Sequence, residues 1–182
     1  MNGLLRFIGG AMVFLVVGCQ EPPSLPVTNE DESAAAWTST HQVAWDIVAS
    51  SGLVTLITNN AEGQPQARIV ESIPPDSGRL DIWMGTNRNS AKVQEIQRND
   101  RATLLYQIPG GVGYVTLRGS ASIVDDPMEK EKRWLPHWEA FYPDREAMFV
   151  LIHFVPEDGE VFSFPAGLVG DSLTWAAPEF DL

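Results

Sequence analysis

Cysteine is nearly missing from this 182-residue chain: Cys19 stands alone, so no disulfide can form within one copy. A chain of this length buries enough core to do without one. Basic residues are also scarce. Twelve Lys and Arg face 24 Asp and Glu, for a formal net charge of -12. Nucleic-acid binding draws its affinity from cation–phosphate contacts, so that class of partner is excluded. Simple attraction to an anionic lipid surface is disfavoured for the same reason. After Arg145 no Lys or Arg occurs at all. Of the three histidines, His41, His137 and His153, none has a Cys or carboxylate at metal-ligand spacing, and no metal site is expected. His153, on an apolar strand, reads as structural. There is no P-loop, no Gly-x-Gly-x-x-Gly and no Gly-x-Ser-x-Gly elbow. No internal repeat is found.

One long apolar run exists, residues 7–17, and it falls short of the ~20 residues a helical span needs. Arg6 precedes it, and Val17-Gly18-Cys19 ends it. This has the form of a processing signal. Residues 1–18 are therefore expected to be a lipoprotein signal peptide, with Cys19 the lipidated N-terminus of an extracytoplasmic, membrane-anchored chain. In a Gram-negative cell, Gln20 in place of Asp points to the outer membrane. A plain secretory signal or an uncleaved anchor is the alternative. Residues 19–36 carry Pro22, Pro23 and Pro26 and an acidic cluster, the composition of an extended linker. Residues 37–182 then form the folded domain.

Within that domain, Val43, Ile47 and Val48 predict an amphipathic helix over 38–51. Strands are expected at 53–58, 66–71, 80–86, 102–108 and 112–124, separated by Gly-, Asn- and Pro-rich turns. Residues 115–123 give the clearest alternation, with Val115, Leu117, Ala121 and Ile123 on one side and Gly119 in register. Asp126-Pro127 starts a helix that Pro136 divides into pieces near 127–134 and 136–142. A last hairpin, 149–155 and 160–164, turns at Pro156-Glu157-Asp158-Gly159. Trp134, Trp138, Phe141 and Tyr142 form an aromatic stripe, either core or interface packing or a lid over a planar ligand. Trp175 and Phe180, in the tail, are expected to pack back on the domain. Many short strands and few helices predict a mainly β, antiparallel closed barrel.

The informative segment runs from Gln66 to Asn99. A short helix is predicted from Ser90 to Arg98, with Asn89 or Ser90 as N-cap. A helix start is electropositive and carries free N–H groups, so acids belong there. This one has Arg88 and Lys92 instead. Either these are solvated charges that bend away, or an anion such as phosphate normally sits between them. Arg68, on the preceding strand, has the planar fork to join them.

Arg68-Ile69-Val70 on one strand, Met84-Gly85-Thr86 ending the next and Ser90-Ala91-Lys92 opening a helix resemble, in order and spacing, the pyridoxamine 5'-phosphate oxidase-like, FMN-binding split-barrel superfamily, and within it the general stress proteins. The resemblance covers roughly residues 38–165. It implies a six- to seven-stranded antiparallel split β-barrel (mainly β, α+β) with a few flanking short helices. It also implies a homodimer with FMN at the subunit interface. Arg68, Ser90 and Lys92 would hold the phosphate. Ile69, Val70, Met84 and Thr86 would neighbour the ribityl chain or ring. Tyr114, and Phe162 where relatives often have Trp, would lie beside the flavin. Two departures stand out. Glu71 and Ser72 occur where relatives often have a second Lys. The basic Arg-x-His that true pyridoxamine phosphate oxidases carry near the C-terminus is missing. The resemblance thus implies a flavin-dependent oxidoreductase without efficient pyridoxamine phosphate turnover, and no catalytic acid or base stands out. The alternative is a non-catalytic binding module on the same barrel, for haem, another flavin-like cofactor or a protein partner.

Overall fold

The computed structural model describes residues 30–75, 80–108 and 110–182. The apolar run, Cys19 and most of the expected linker lie outside them. Among the described residues no helix is long and apolar enough to cross a membrane.

The chain opens with α1 (Glu30–Ser50), followed by β1 (Leu53–Asn59), β2 (Pro65–Ile73) and β3 (Ile82–Asn87). Helix α2 (Ala91–Arg98) leads into β4 (Arg101–Gln107) and β5 (Gly113–Val124). Then come α3 (Pro127–Lys132), a 3-10 turn (Pro136–Ala140), α4 (Arg145–Met148), β6 (Phe149–Ser163) and β7 (Glu179–Asp181). Helix α1 starts at Glu30 rather than at residue 38. Glu and Asp at its electropositive end and three consecutive Ala favour helix over extended linker.

The strands run in the order β3-β2-β1-β4-β5-β6, and β3 also pairs with β6, which closes a six-stranded antiparallel barrel. β7 adds to the far part of β6. Period-two alternation fills the barrel: Val54 and Leu56 from β1, Leu104 and Tyr106 from β4, Val115 and Leu117 from β5 are all essentially inaccessible. Helix α1 lays Ala44, Ile47 and Val48 on this core. The last helices cover the opposite side. There Trp138, Phe149 and Leu151 form a second apolar cluster, joined by Trp83, Trp134 and Tyr142. Of the aromatic stripe, Trp134, Trp138 and Tyr142 are packing residues, whereas Phe141 is 69% exposed. Of the tail, Phe180 is buried and meets the His41 ring at 4.9 Å, while Trp175 remains exposed.

The expected hairpin at 156–159 does not form. β6 is one continuous strand of 15 residues. Arg118 pairs with Asp158 but Gly119 pairs with Pro156, so Glu157 is the extra residue of a β-bulge. Pro and Gly punctuate a bulge as they do a turn. Along the edge of β6 opposite β5, β3 pairs before the bulge and closes the barrel, and β7 pairs after it. The bulge forces a close backbone crossing: a Cβ on Gly119 would lie 2.2 Å from the carbonyl oxygen of Val155 and 2.7 Å from Pro156 Cα. Gly119→Ala is therefore expected to cost about 2 kcal/mol in urea denaturation. Gly52→Ala, where a Cβ meets nothing within 4 Å, should stay within about 0.5 kcal/mol of the parent. Equal midpoints for the two variants would refute the crowding argument.

Candidate functional site

The barrel is open at one seam. β2 and β3 pair only at Ser72↔Met84 and Ile73↔Trp83. Before Ser72, β2 is bonded to β1 alone and presents a free edge. β3 continues instead against β6 as far as Asn87. A turn over Asn87–Ser90 then starts α2 beside the seam.

Ser90 is the N-cap of α2, yet its side chain makes no capping bond, and the first turn holds no acid. Its hydroxyl lies 3.3 Å from Thr86 Oγ1 on β3. The Lys92 ammonium donates to the same Thr86 oxygen at 3.0 Å. From the free-edged part of β2, Arg68 reaches the same place. Its Nη2 donates to Glu95 Oε2 at 2.7 Å, and its Nη1 to Thr58 Oγ1. Thr58 in turn donates to Glu95 at 2.5 Å. Three strands and one helix thus converge on a half-buried group of two cations, one carboxylate and three hydroxyls.

The charges there are unequal. Arg68 has a nearly buried carboxylate, whereas Lys92 has a neutral hydroxyl. Burial pushes the Lys92 pKa below its ordinary value, the nearby Arg68 charge pushes it further, and Glu95 opposes both. A cation at an electropositive helix start with no acid in the first turn is an arrangement that an anion would stabilise. Arg88 does not take part. It is bound to Asp125 at 2.5 Å and to the Ala147 carbonyl at 3.3 Å, on the side of α3 and α4.

The remaining candidates divide between two faces. Met84 is fully buried in the core, Thr86 is buried with its hydroxyl in the cation group, and Val70 is half-buried. Ile69 points outward at 70% exposure. With Leu53, Thr55, Leu105, Gln107 and Ile108 it lines a cavity of about 440 Å³ on the outer face of β2, β1 and β4. Tyr114 and Phe162 are cross-strand partners on β5 and β6, and their rings stack at 5.9 Å. They lie on the same outer face, since Tyr114 pairs with the cavity residue Gln107. Arg68 and Ile69 are consecutive, so cation group and cavity are separated only by the edge of β2.

Sequence reasoning missed Glu95 and Thr58. Both left a signal. Glu95 follows Lys92 by three residues and so shares its helix face. Thr58 is a polar residue at an inward position of the Val54, Leu56 alternation. Among the described residues no cluster of His, Cys, Asp or Glu could hold a metal. Glu95→Ala, which strips Arg68 and Thr58 of their shared acceptor, is expected to lower stability by about 2 kcal/mol. Glu95→Gln, retaining an acceptor, should lose less. Urea midpoints that do not move in either variant would show that the ion pair is incidental.

Comparison with known proteins agrees with this fold. The family described as "pyridoxamine 5'-phosphate oxidase like" matches residues 35–177. A comparison with curated proteins finds no match. Among solved structures, a Clostridium acetobutylicum protein related to general stress protein 26 of B. subtilis superposes with a TM-score of 0.62 at 21% identity, covering 75% of this chain and 90% of that one. General stress protein 26 of Bacillus anthracis gives 0.58 at 21% identity, with 66% and 92% covered. The general stress FMN/FAD binding protein of Xanthomonas citri gives 0.61 at 17%, with 69% and 89% covered. At these identities the likeness is one of fold. The family match spans most of the described chain, and the chain belongs to the pyridoxamine 5'-phosphate oxidase-like family.

Proposed function

We propose that this chain is an FMN-binding flavoprotein, a flavin-dependent oxidoreductase that works as a homodimer and is held at a membrane by lipid on Cys19. The observation that carries the reading is the pairing of Arg68 with Lys92 at the acid-free start of α2. Arg68, Lys92 and the Ser90 hydroxyl suit a phosphate monoester: a fork, a point charge and a neutral donor, with N–H groups of the first helical turn behind them. Thr86 orients Lys92 from below. An arriving phosphate would relieve the repulsion between the two cations, and Glu95 would keep Arg68 aimed.

The group fits beyond its phosphate. The free edge of β2 offers backbone N–H and C=O groups past Ile69 and Val70, and a polar ring needs such partners. Leu53, Ile69 and Leu105 supply the apolar floor that a planar heterocycle requires. Tyr114 and Phe162 stand at the rim of that face. When bound, the flavin would supply one- and two-electron transfer; the protein binds it, orients it and tunes its ring. The Xanthomonas citri relative, described as FMN/FAD binding, supports the same assignment.

The same face supports the proposed dimer. Leu53 and Ile69, which line the cavity, are 61% and 70% exposed. A second copy seated there would cover the apolar patch and complete the walls of the groove. The mature chain should then sediment as a dimer, and a monomer at micromolar concentration would remove the interfacial half of the reading. Anchoring rests on the apolar run ending at Cys19; Cys19→Ser should abolish incorporation of labelled fatty acid.

Purified mature protein is expected to be yellow, or to become so on adding FMN. Arg68→Ala combined with Lys92→Ala should weaken FMN binding by at least about 100-fold, the loss of two charge-assisted contacts. Fluorescence titration measures this. Unchanged affinity in the double variant would overturn the phosphate site and favour a binding module of another kind. Pyridoxamine phosphate should not be turned over at ordinary enzyme rates, because the chain after Arg145 offers no Lys or Arg to a second phosphate.

A further inference from the structure

Where the pairing of β2 with β3 ends, one residue covers the seam from outside. After Ser72↔Met84 the next rung would pair Glu71 with Gly85. The indole of Trp138 packs over that position on the outer face of β3. Its Nε1 donates to Glu71 Oε2 at 2.5 Å, and a Cβ on Gly85 would meet its ring at 2.6 Å. Gly85 thus has to be glycine for the indole to seat on β3. His137, the neighbour of Trp138 in the 3-10 turn, places Nε2 2.9 Å from the same Glu71 oxygen.

Glu71 is consequently a carboxylate held by two neighbours at a definite place. It stands on the outward face of β2, two residues beyond Ile69. Its cross-strand partner is Leu53. Ile69 and Leu53 both line the 440 Å³ cavity, so Glu71 stands at the rim of that cavity. The field of Glu71 reaches its surroundings: the Tyr142 hydroxyl is pushed above its ordinary range by burial and then by the Glu71 charge. Along β2, Glu71 lies three residues beyond Arg68, roughly 10 Å at the rise of a strand. A ribityl phosphate anchored at Arg68 and Lys92 and running along the β2 edge brings its ring to this rim.

We propose that Glu71, fixed by His137 and Trp138, is a positioning residue that sets a negative charge beside the ring end of the bound flavin and makes that flavin harder to reduce. The proposal rests on the FMN reading above. Its physics is direct: a neighbouring carboxylate disfavours the electron-rich, reduced ring, most strongly where solvent is excluded.

The test uses FMN-loaded mature protein, with the midpoint potential read by spectroelectrochemistry and the FMN affinity by fluorescence titration. Glu71→Gln keeps an acceptor for Trp138 and removes the charge. It should shift the potential to a more positive value while leaving affinity within about threefold of the parent. His137→Ala, at a residue on the surface, removes a partner and leaves the carboxylate less compensated, so the potential should move the opposite way. Opposite signs are what a merely structural role would not produce. Shifts of the same sign, or none with FMN bound, would overturn the proposal and leave the flavin reading intact. Failure of the parent protein to bind FMN would overturn both. Should Glu71→Gln not fold, the sign of the His137→Ala shift decides alone.

Discussion

Two rungs of hydrogen bonds between β2 and β3, where a full ladder would have several, are the constraint on which the geometry of the candidate site depends. Beyond Ser72↔Met84 the strands part. β3 stays with β6, and β2 stays with β1. A parting of this kind exposes backbone donors and acceptors that must be satisfied by something. At one end of the opening the indole of Trp138 packs over Gly85 on the outer face and bonds to the Glu71 carboxylate. At the other, α2 begins and points its first turn inward. What is left between them is a stretch of unpaired strand edge with a cation group on its inner side and an apolar cavity on its outer side. The site is less a pocket cut into the barrel than the place where the barrel does not close.

That geometry explains how so acidic a chain can keep two cations face to face. Neither Arg68 nor Lys92 is free to leave. Arg68 is bonded to Glu95 and Thr58, which belong to different elements, and Lys92 is bonded to a buried threonine. Their repulsion is set by the packing of β1, β2, β3 and α2, and it survives because the surrounding core fixes those elements. Glu95 removes part of the repulsion without occupying the helix start, since its carboxylate lies on the Arg68 side. The residual positive character is concentrated on Lys92 and the first turn of α2. In a protein of net charge -12 this is a local reversal of sign, which the proposed anion site requires.

Much of this was legible beforehand, for identifiable reasons. β1, β4 and β5 were readable because each has one buried face, and period-two alternation reports a buried face. The helix at Ser90 was readable from Ala91, Val93 and Ile96, and its misplaced lysine flagged the site. Three things were not legible. β6 is buried on both faces over Phe149 to Ile152, because the late helices cover its outer side, so it loses alternation. Its Pro-Glu-Asp-Gly then reads as a turn, since a bulge and a turn use the same residues. Arg88 sits in sequence where an anion ligand would, but Asp125, 37 residues away, captures it. Glu71 looked only like a lost cation, because its partners His137 and Trp138 are distant in the chain.

The parted seam also decides where the molecule can yield. Before Ser72, β2 is bonded to β1 alone, whereas β6 pairs with β5 and β3 and, past the Glu157 bulge, with β7 as well. Local opening is easiest where ladder bonds are fewest, which here is the free-edged run of β2 from Pro65 to Val70. Arg68 and Ile69 lie within it. In the proposed reading a ligand bonding to that edge would order this run, with Arg68 and Ile69 on its opposite faces. Glu71 marks the limit of this freedom, since Trp138 and His137 tie it to the second apolar cluster. The cation end of the groove can adapt to its guest, and the carboxylate end is held to a fixed position by the packed wall behind it.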